Sequence, residues 1–414
     1  MTLYYKNIEI GISCQTSVPK NRRNDTVYLI GIDIAKYKHH CHIATSDGVF
    51  INEFSFDNNS IGFNEFLNHL KSLDQSNEIK IGLESTGHYG NTLKQFISAK
   101  GYTFIEFNPY LAKQFFKSTT IRKTKTDKVD ARLLSNMLAS VDYKTLHTKY
   151  YHINDLKSLT RARNSLIYQR SKHLVQITNA LDVVFPEFKP FFSNKLGSTA
   201  LFILSKYNSK DKISKITSEQ YKKLHSISRG KFSYPKFLNL KELANTSIGI
   251  KSKTYFMLIK TYIGLIDSLN NALSKIETEI IKVMNMVDTK ITTIPGISIF
   301  SAANIIGEIE DINKFSNSAK LIAFSGFDIA IHQSGEKEFY GRLVKRGSTL
   351  LRTTIWNLVL GTVRMIPQIA DYYHLKRKQG KHHKAACAAI SRKLLRLIFH
   401  LESNKIDFNI NKYR

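Results

Sequence analysis

Tyr28-Leu29-Ile30-Gly31-Ile32-Asp33-Ile34-Ala35 is a short apolar run interrupted by one carboxylate. Its length and its lack of polar alternation read as a central strand buried on both faces. An isolated buried charge is costly, so Asp33 needs a partner. Downstream, His40–Thr45 and Val49–Phe56 read as two further strands joined through Ser46-Asp47-Gly48, and Asp-Gly between strands is a strong hairpin signal. A helix capped by Ser60 runs to about Leu73, with Phe63, Phe66, Leu67 and Leu70 on one side. Ile79-Lys80-Ile81-Gly82-Leu83-Glu84 is a strand that again ends in a carboxylate, followed by Ser85-Thr86-Gly87-His88. A helix over Asn91–Lys100 stops at Gly101, and Tyr102–Phe107 is a fifth strand. Three meandering strands followed by alternating helix and strand describe an α/β domain, a mixed sheet with helices on its faces, in which Asp33 and Glu84 sit on neighbouring central strands.

Thr124-Lys125-Thr126-Asp127-Lys128-Val129-Asp130-Ala131-Arg132 supplies two more carboxylates. On a helix, positions three apart share a face, so Asp127 and Asp130 point the same way. Two like charges that close are unfavourable unless a cation lies between them or each is solvated. The flanking Arg122, Lys123, Lys125 and Lys128 suit a polyanion brought up to a metal held there.

The charge balance points the same way. The 414 residues carry 61 Lys and Arg against 33 Asp and Glu, a net charge of +28 with a pI near 9.8. Such an excess repels itself and calls for a polyanionic partner, most simply nucleic acid. Cys14, Cys41 and Cys387 are far apart and odd in number, which excludes a disulfide framework and a zinc spacing. No apolar run approaches the roughly 18–20 residues of a membrane span. A soluble, cytoplasmic protein is expected.

Residues 1–26 are polar and read as a leader arm, either mobile or draped on the first domain. Asp155–Val184 reads as one long helix ended by Phe185-Pro186. Residues 187–250 show weak periodicity and read as a helical insertion without an assigned role. A second long helix starts near Lys253, where Ile266, Leu269, Leu273, Ile276, Ile280, Val283 and Val287 step as a heptad seam. The two long helices imply an antiparallel coiled-coil arm, which serves either as an intramolecular hairpin or as a dimerisation element. Beyond it, Thr293-Ile294-Pro295-Gly296-Ile297-Ser298 resembles the turn of a helix-hairpin-helix, whose backbone N–H groups grip DNA phosphates. Three serines then compete for attention, namely Ser325, Ser334 and Ser348, and Ser348 has the look of a helix N-cap. Arg342, Lys345, Arg346 and Arg352 could neutralise a phosphate near them. His382-His383, between two lysines, reads as a basic DNA-facing edge rather than a metal site. The expected domains are therefore the arm at 1–26, an α/β domain at 27–150, the coiled-coil arm with its insertion at 151–290, and a helical domain at 291–414.

Taken in order, Gly31-Ile32-Asp33-Ile34-Ala35-Lys36, Glu84-Ser85-Thr86-Gly87 and Lys125-Thr126-Asp127-Lys128-Val129-Asp130-Ala131 closely resemble the N-terminal domain of the DEDD-type insertion-sequence transposases. That domain is RNase H-like and similar to the Holliday-junction (RuvC-like) resolvases. His332-Gln333-Ser334-Gly335-Glu336 and Gly341-Arg342-Leu343-Val344-Lys345-Arg346-Gly347-Ser348 resemble the C-terminal transposase domain of the same family. Ser348 departs from the pattern, since relatives commonly carry Asn or Asp after the Arg-Gly. The resemblance covers about residues 28–184 and 260–400. It implies a transposase or recombinase that cuts and rejoins DNA, with Asp33, Glu84, Asp127 and Asp130 binding one or two Mg²⁺ ions and Ser334 as nucleophile. It further implies donor and target DNA as partners, a structured guide (bridge) RNA, and a homo-oligomer. Two rivals stay open: a junction resolvase or nuclease using the carboxylates and water alone, and a non-catalytic nucleic-acid-binding protein.

Overall fold

A computed structural model describes residues 26–84, 88–107, 109–119, 126–140, 151–193, 196–334 and 337–411. The chain divides into two compact units, one up to Lys149 and one from Tyr150. Residues 1–25 of the leader arm and Arg122, Lys123 and Lys125 lie outside the described residues.

The first unit is a five-stranded sheet in the order β3-β2-β1-β4-β5. Its elements are β1 (Tyr28–Asp33), β2 (Lys38–Thr45), β3 (Phe50–Asp57), α1 (Ser60–Lys71), β4 (Ile79–Glu84), α2 (Asn91–Ala99), β5 (Phe104–Phe107), α3 (Pro109–Thr119) and α4 (Asp127–Ser140). β1, β2 and β3 form the antiparallel meander, while β1–β4 and β4–β5 pair in parallel. Side-chain alternation along β1 builds a core on each face. Ile30 and Ile32 join Ile81, Leu83, Phe66, Leu93 and Ile97 under α1 and α2. Leu29 joins Ile105, Phe107, Leu134 and Leu138 under α3 and α4.

The α4 face is where the sequence makes room. A Cβ at Gly31 would lie 2.1 Å from the Ala131 carbonyl oxygen and 2.4 Å from the Ser135 nitrogen. The helix therefore rests directly on the strand, and the Ser135 hydroxyl donates to the Leu29 carbonyl at 3.1 Å. A Cβ at Gly82 would instead meet side chains, those of Phe107 at 2.6 Å and Leu138 at 2.9 Å. Side chains can give and backbone cannot. Gly31→Ala is accordingly expected to lift α4 from the sheet and to destabilise the unit by at least about 2 kcal/mol. Gly82→Ala should cost less, and urea denaturation of the two variants checks the order.

The second unit is helical. α5 (Tyr151–Val184) and, after the insertion, α11 (Lys253–Met284) pack against each other. Between them lie α6 (Phe188–Phe191), α7 (Ser198–Lys206), α8 (Lys210–Ser214), α9 (Ser218–Ile227) and α10 (Tyr234–Thr246). Arg163 pairs with Glu277 at 2.8 Å and Arg170 donates to Asn270 at 3.1 Å, so the long helices run antiparallel. Ile266, Leu273, Ile280 and Val283 of the heptad seam are buried within the chain. The insertion has a core of its own, with Phe188, Ile203, Leu204, Ile213, Leu224 and Phe237 packed on Leu181, Val184 and Phe256 of the long helices.

The other ends of α5 and α11 merge into a second core with α12 (Ile299–Ile309), α13 (Ser318–Ser325), α14 (Thr349–Met365), α15 (Pro367–Lys378) and α16 (His383–Asn404). A two-stranded hairpin, β6 (Ile329–Ser334) and β7 (Lys337–Leu343), follows α13. Pro295-Gly296 is preceded by a three-residue 3₁₀ turn, Ile291–Thr293, in place of a full first helix. Gly296 has a φ of 87° and packs against Gly361 of α14.

One buried carboxylate ties α5, α12 and α14 together. Glu308, 3% exposed, takes two hydrogen bonds from Arg161, at 2.7 and 3.1 Å, and one from the Ser348 hydroxyl at 2.7 Å. Burial pushes its carboxyl up, but the bonds from Arg161 and Ser348 and the charges of Arg161 and Lys157 outweigh that and hold it below the ordinary range. A depressed carboxylate stabilises the fold above its unfolded pKa, and that stability is lost as pH falls through the folded value. Arg161→Met should cost about 2 kcal/mol near neutrality, less than a fully buried pair because the Arg161 side chain is 57% exposed. The deficit should shrink as pH falls below the ordinary glutamate value of 4.5, which thermal midpoints across pH would reveal.

Candidate active site

Asp33 is the last residue of β1 and Glu84 the last of β4, and the two strands run parallel side by side with Ile32 level with Leu83. Continuing that register by one residue brings Asp33 level with Glu84. Both share the side-chain parity of Gly31 and Gly82, the residues that face α4. Loops at the carboxyl ends of parallel strands are where α/β sheets place ligands.

α4 brings its aspartates to the same end. Ser135 meets Leu29 and Ala131 meets Gly31, so four residues of helix match two of strand. At about 1.5 Å per helical residue and about 3.3 Å per strand residue, the next step back along the helix, Asp127, falls level with Asp33. Asp127 opens α4, where the helix dipole favours a negative charge. Its carboxylate is 3.5 Å from His40 Nε2, and His40 is the cross-strand partner of Asp33. The two aspartates are not equivalent. Asp130 is 8% exposed, whereas the Asp127 side chain is 62% exposed. Asp33, Glu84 and Asp130 each have interactions in place.

Carboxylate oxygens are the hard donors that Mg²⁺ takes. The residues match the ion in donor type and in their gathering at one end of one sheet face. Among the described residues, however, no group of three or more His, Cys, Asp or Glu side chains stands close enough to hold a metal ion. The backbone places the carboxylates; their side chains do not form a closed ligand set in this structure.

Some sequence-based assignments shift. Lys128 approaches Glu53 of β3 at 3.5 Å, and Arg132 donates to the same carboxylate at 3.3 Å, so these cations brace α4 against the meander. His40 was not among the site residues read from sequence. The signal was there, because the hairpin register sets it opposite Asp33. His39, one residue earlier, points to the other face between Phe56 and Phe63, and burial lowers its pKa.

In the second unit the three serines separate. Ser325 is fully buried and donates to the Ile322 carbonyl at 2.7 Å. Ser348 caps α14, accepting from the Leu351 nitrogen at 3.0 Å while donating to Glu308. Ser334 ends β6 opposite Lys337, at the edge of the hairpin turn, and residues 335–336 lie outside the described part. Arg342 lies on β7. Lys345, with a φ of 53°, Arg346 and Gly347, with a φ of 98°, form the loop into α14. A Cβ at Gly347 would lie 1.9 Å from the Phe324 carbonyl oxygen, so this loop is seated on α13. Arg352 helps to seat it, donating to the Lys345 carbonyl at 3.2 Å and the Ser325 carbonyl at 3.5 Å. His382 caps α16 and His383 bonds to the Tyr373 hydroxyl at 2.8 Å.

A mixed sheet with this strand order, flanked by helices and ending in carboxylates at adjacent central strands, is consistent with an RNase H-like domain of the DEDD transposase type. Two stretches of the chain match models of transposase domains. A family model described as Transposase, the DEDD type of IS110, matches residues 30–186. A second, described as Transposase IS116/IS110/IS902 family, matches residues 288–374. The chain is also similar to the transposase for insertion sequence element IS1111A of Coxiella burnetii (strain RSA 493 / Nine Mile phase I), at 26% identity over 164 residues. That match covers 38% of this chain and spans 45% of the length of the relative. Among the described residues no helix is long and apolar enough to cross a membrane.

Proposed function

We propose that this protein is a DNA transposase of an insertion sequence that cuts and rejoins DNA through a covalent serine intermediate. The observation that carries the reading is the convergence of β1, β4 and the start of α4, which sets Asp33, Glu84 and Asp127 at one end of one face, with Asp130 a turn further along. These four carboxylates would hold one or two Mg²⁺ ions, which when bound stabilise charge on the attacking and leaving oxygens of a phosphodiester. His40 would orient Asp127.

Ser334 is the nucleophile in this reading. Its two rivals are engaged in the core and in a helix cap, while Ser334 stands at a hairpin turn. Its hydroxyl gives up its proton and its oxygen forms a bond to phosphorus as the bond from phosphorus to one strand end breaks, and the released sugar oxygen takes a proton to become a hydroxyl. The phosphoserine conserves the energy of the broken bond, so a different hydroxyl can attack it and restore the serine. Arg342, Lys345 and Arg346 would neutralise the phosphate, and Arg352 would position their loop. The net charge of +28 suits DNA together with a structured guide RNA, in which case base pairing rather than side chains would select the target. The antiparallel arm and the two kinds of DNA end fit a homo-oligomer.

Trapping on suicide DNA substrates tests this. A covalent protein–DNA adduct should form with Mg²⁺, and peptide mapping should place it on Ser334. Cleavage without an adduct would instead favour a resolvase or nuclease working with carboxylates and water. No Mg²⁺-dependent cleavage and no effect of Asp127→Asn on any activity would reduce the protein to nucleic-acid binding.

A further inference from the structure

The insertion between the long helices falls outside both family matches, which end at residue 186 and resume at 288. Over residues 187–250 it carries twelve Lys and Arg against four Asp and Glu. It also contains a cavity of about 500 Å³, well inside the range of small-ligand pockets.

The lining of that cavity is one-sided in charge. Arg229, Lys231 and Lys236 border it, and no acidic residue does among the described residues. Among the described residues none of the three forms an ion pair with a carboxylate, and all three are exposed. Three cations gathered without counterions raise each other's energy unless an anion joins them. The lining also includes aromatic rings, with the Phe192 ring nearly parallel to that of Phe232, centroids 6.0 Å apart and planes 15° apart. The first turn of α7 opens onto the same space with no side-chain cap at Gly197. Ser193 and Arg229, which both line the cavity, hold left-handed backbone, at φ of 54° and 52°.

We propose that this cavity is a docking site for the sugar-phosphate backbone of single-stranded nucleic acid. The three cations and the start of α7 take phosphate oxygens, and Phe192 offers a ring on which a base can stack. The insertion thereby adds a nucleic-acid grip that the two family domains do not supply. The proposal rests on the transposase reading only in taking nucleic acid as the partner.

The test uses the full chain with fluorescent 20-nucleotide single strands of DNA and of RNA, followed by anisotropy at several salt concentrations. The variant Arg229→Ala/Lys231→Ala/Lys236→Ala is compared with Lys212→Ala/Lys215→Ala/Lys222→Ala, which removes equal charge from exposed positions of the same module away from the cavity. The cavity variant should lose roughly tenfold or more in affinity, and its salt dependence should flatten by about two in slope, given about 0.7 per phosphate contact on single strands. The control variant should change by no more than about a third of that on a logarithmic scale. Phe192→Ala should weaken binding without changing the salt slope. Loss with RNA alone, or with DNA alone, identifies which strand is held. Equal behaviour of the two triple variants in affinity and slope overturns the site. Absence of binding by the unaltered protein overturns the transposase reading as well, so the two failures are distinguishable.

Discussion

Ser334→Ala should abolish the covalent adduct and lower strand rejoining by at least about three orders of magnitude, while leaving nucleic-acid binding and the thermal midpoint unchanged. The size follows from chemistry. Neither of the two rival serines can substitute, since the Ser325 oxygen is committed to the Ile322 carbonyl inside the core and that of Ser348 to Glu308 and the α14 cap. Ser348→Ala should behave in the opposite way. It removes a helix cap and a bond to a buried carboxylate, so it should cost about 1–2 kcal/mol of stability, with any loss of activity following the loss of fold. Parallel assays of adduct formation and thermal denaturation separate these outcomes. Retained cleavage by Ser334→Ala would point to attack by water.

Asp33→Asn, Glu84→Gln and Asp127→Asn should each weaken Mg²⁺ or Mn²⁺ binding by at least roughly tenfold and depress cleavage by at least roughly a hundredfold. Calorimetric titration with Mn²⁺ reads the first effect without any substrate. Each change keeps side-chain size and removes a negative charge, so the folded protein should survive it. Asp130→Asn is a harsher test of packing because this residue is buried. His40→Ala should have a smaller effect on metal binding, since it would act through Asp127.

Much of the α/β unit could be read from the chain. Glu84 ends an apolar run, which located the carboxyl end of β4, whereas Asp33 interrupts a run read on to Ala35 and is in fact the last residue of β1. Ser46-Asp47-Gly48 fixed the hairpin between β2 and β3. The heptad spacing from Ile266 to Val283 located the seam that α5 buries. What escaped reading depended on register and on approach in space. The pairing of His40 with Asp33 needs the hairpin alignment, and the seating of α4 on β1 needs both Gly31 and the backbone of Ala131 and Ser135. Lys128 looked like a group for a polyanion because its partner, Glu53, lies on a strand some 75 residues earlier in the chain. The inequality of Asp127 and Asp130 was hidden for a similar reason: helical spacing sets a common face, but not how deeply each residue sinks into the neighbouring sheet.

The central claim is that side chains from β1, β4 and α4 share a cation, and Mn²⁺ gives it a direct test. In crystals of the full chain grown with Mn²⁺, anomalous scattering should reveal at least one ion. It should lie about 2.1 Å from oxygens of Asp33, Glu84 and at least one of Asp127 and Asp130. An ion bound elsewhere, or an empty carboxylate end in crystals that hold Mn²⁺ at other sites, would contradict the account.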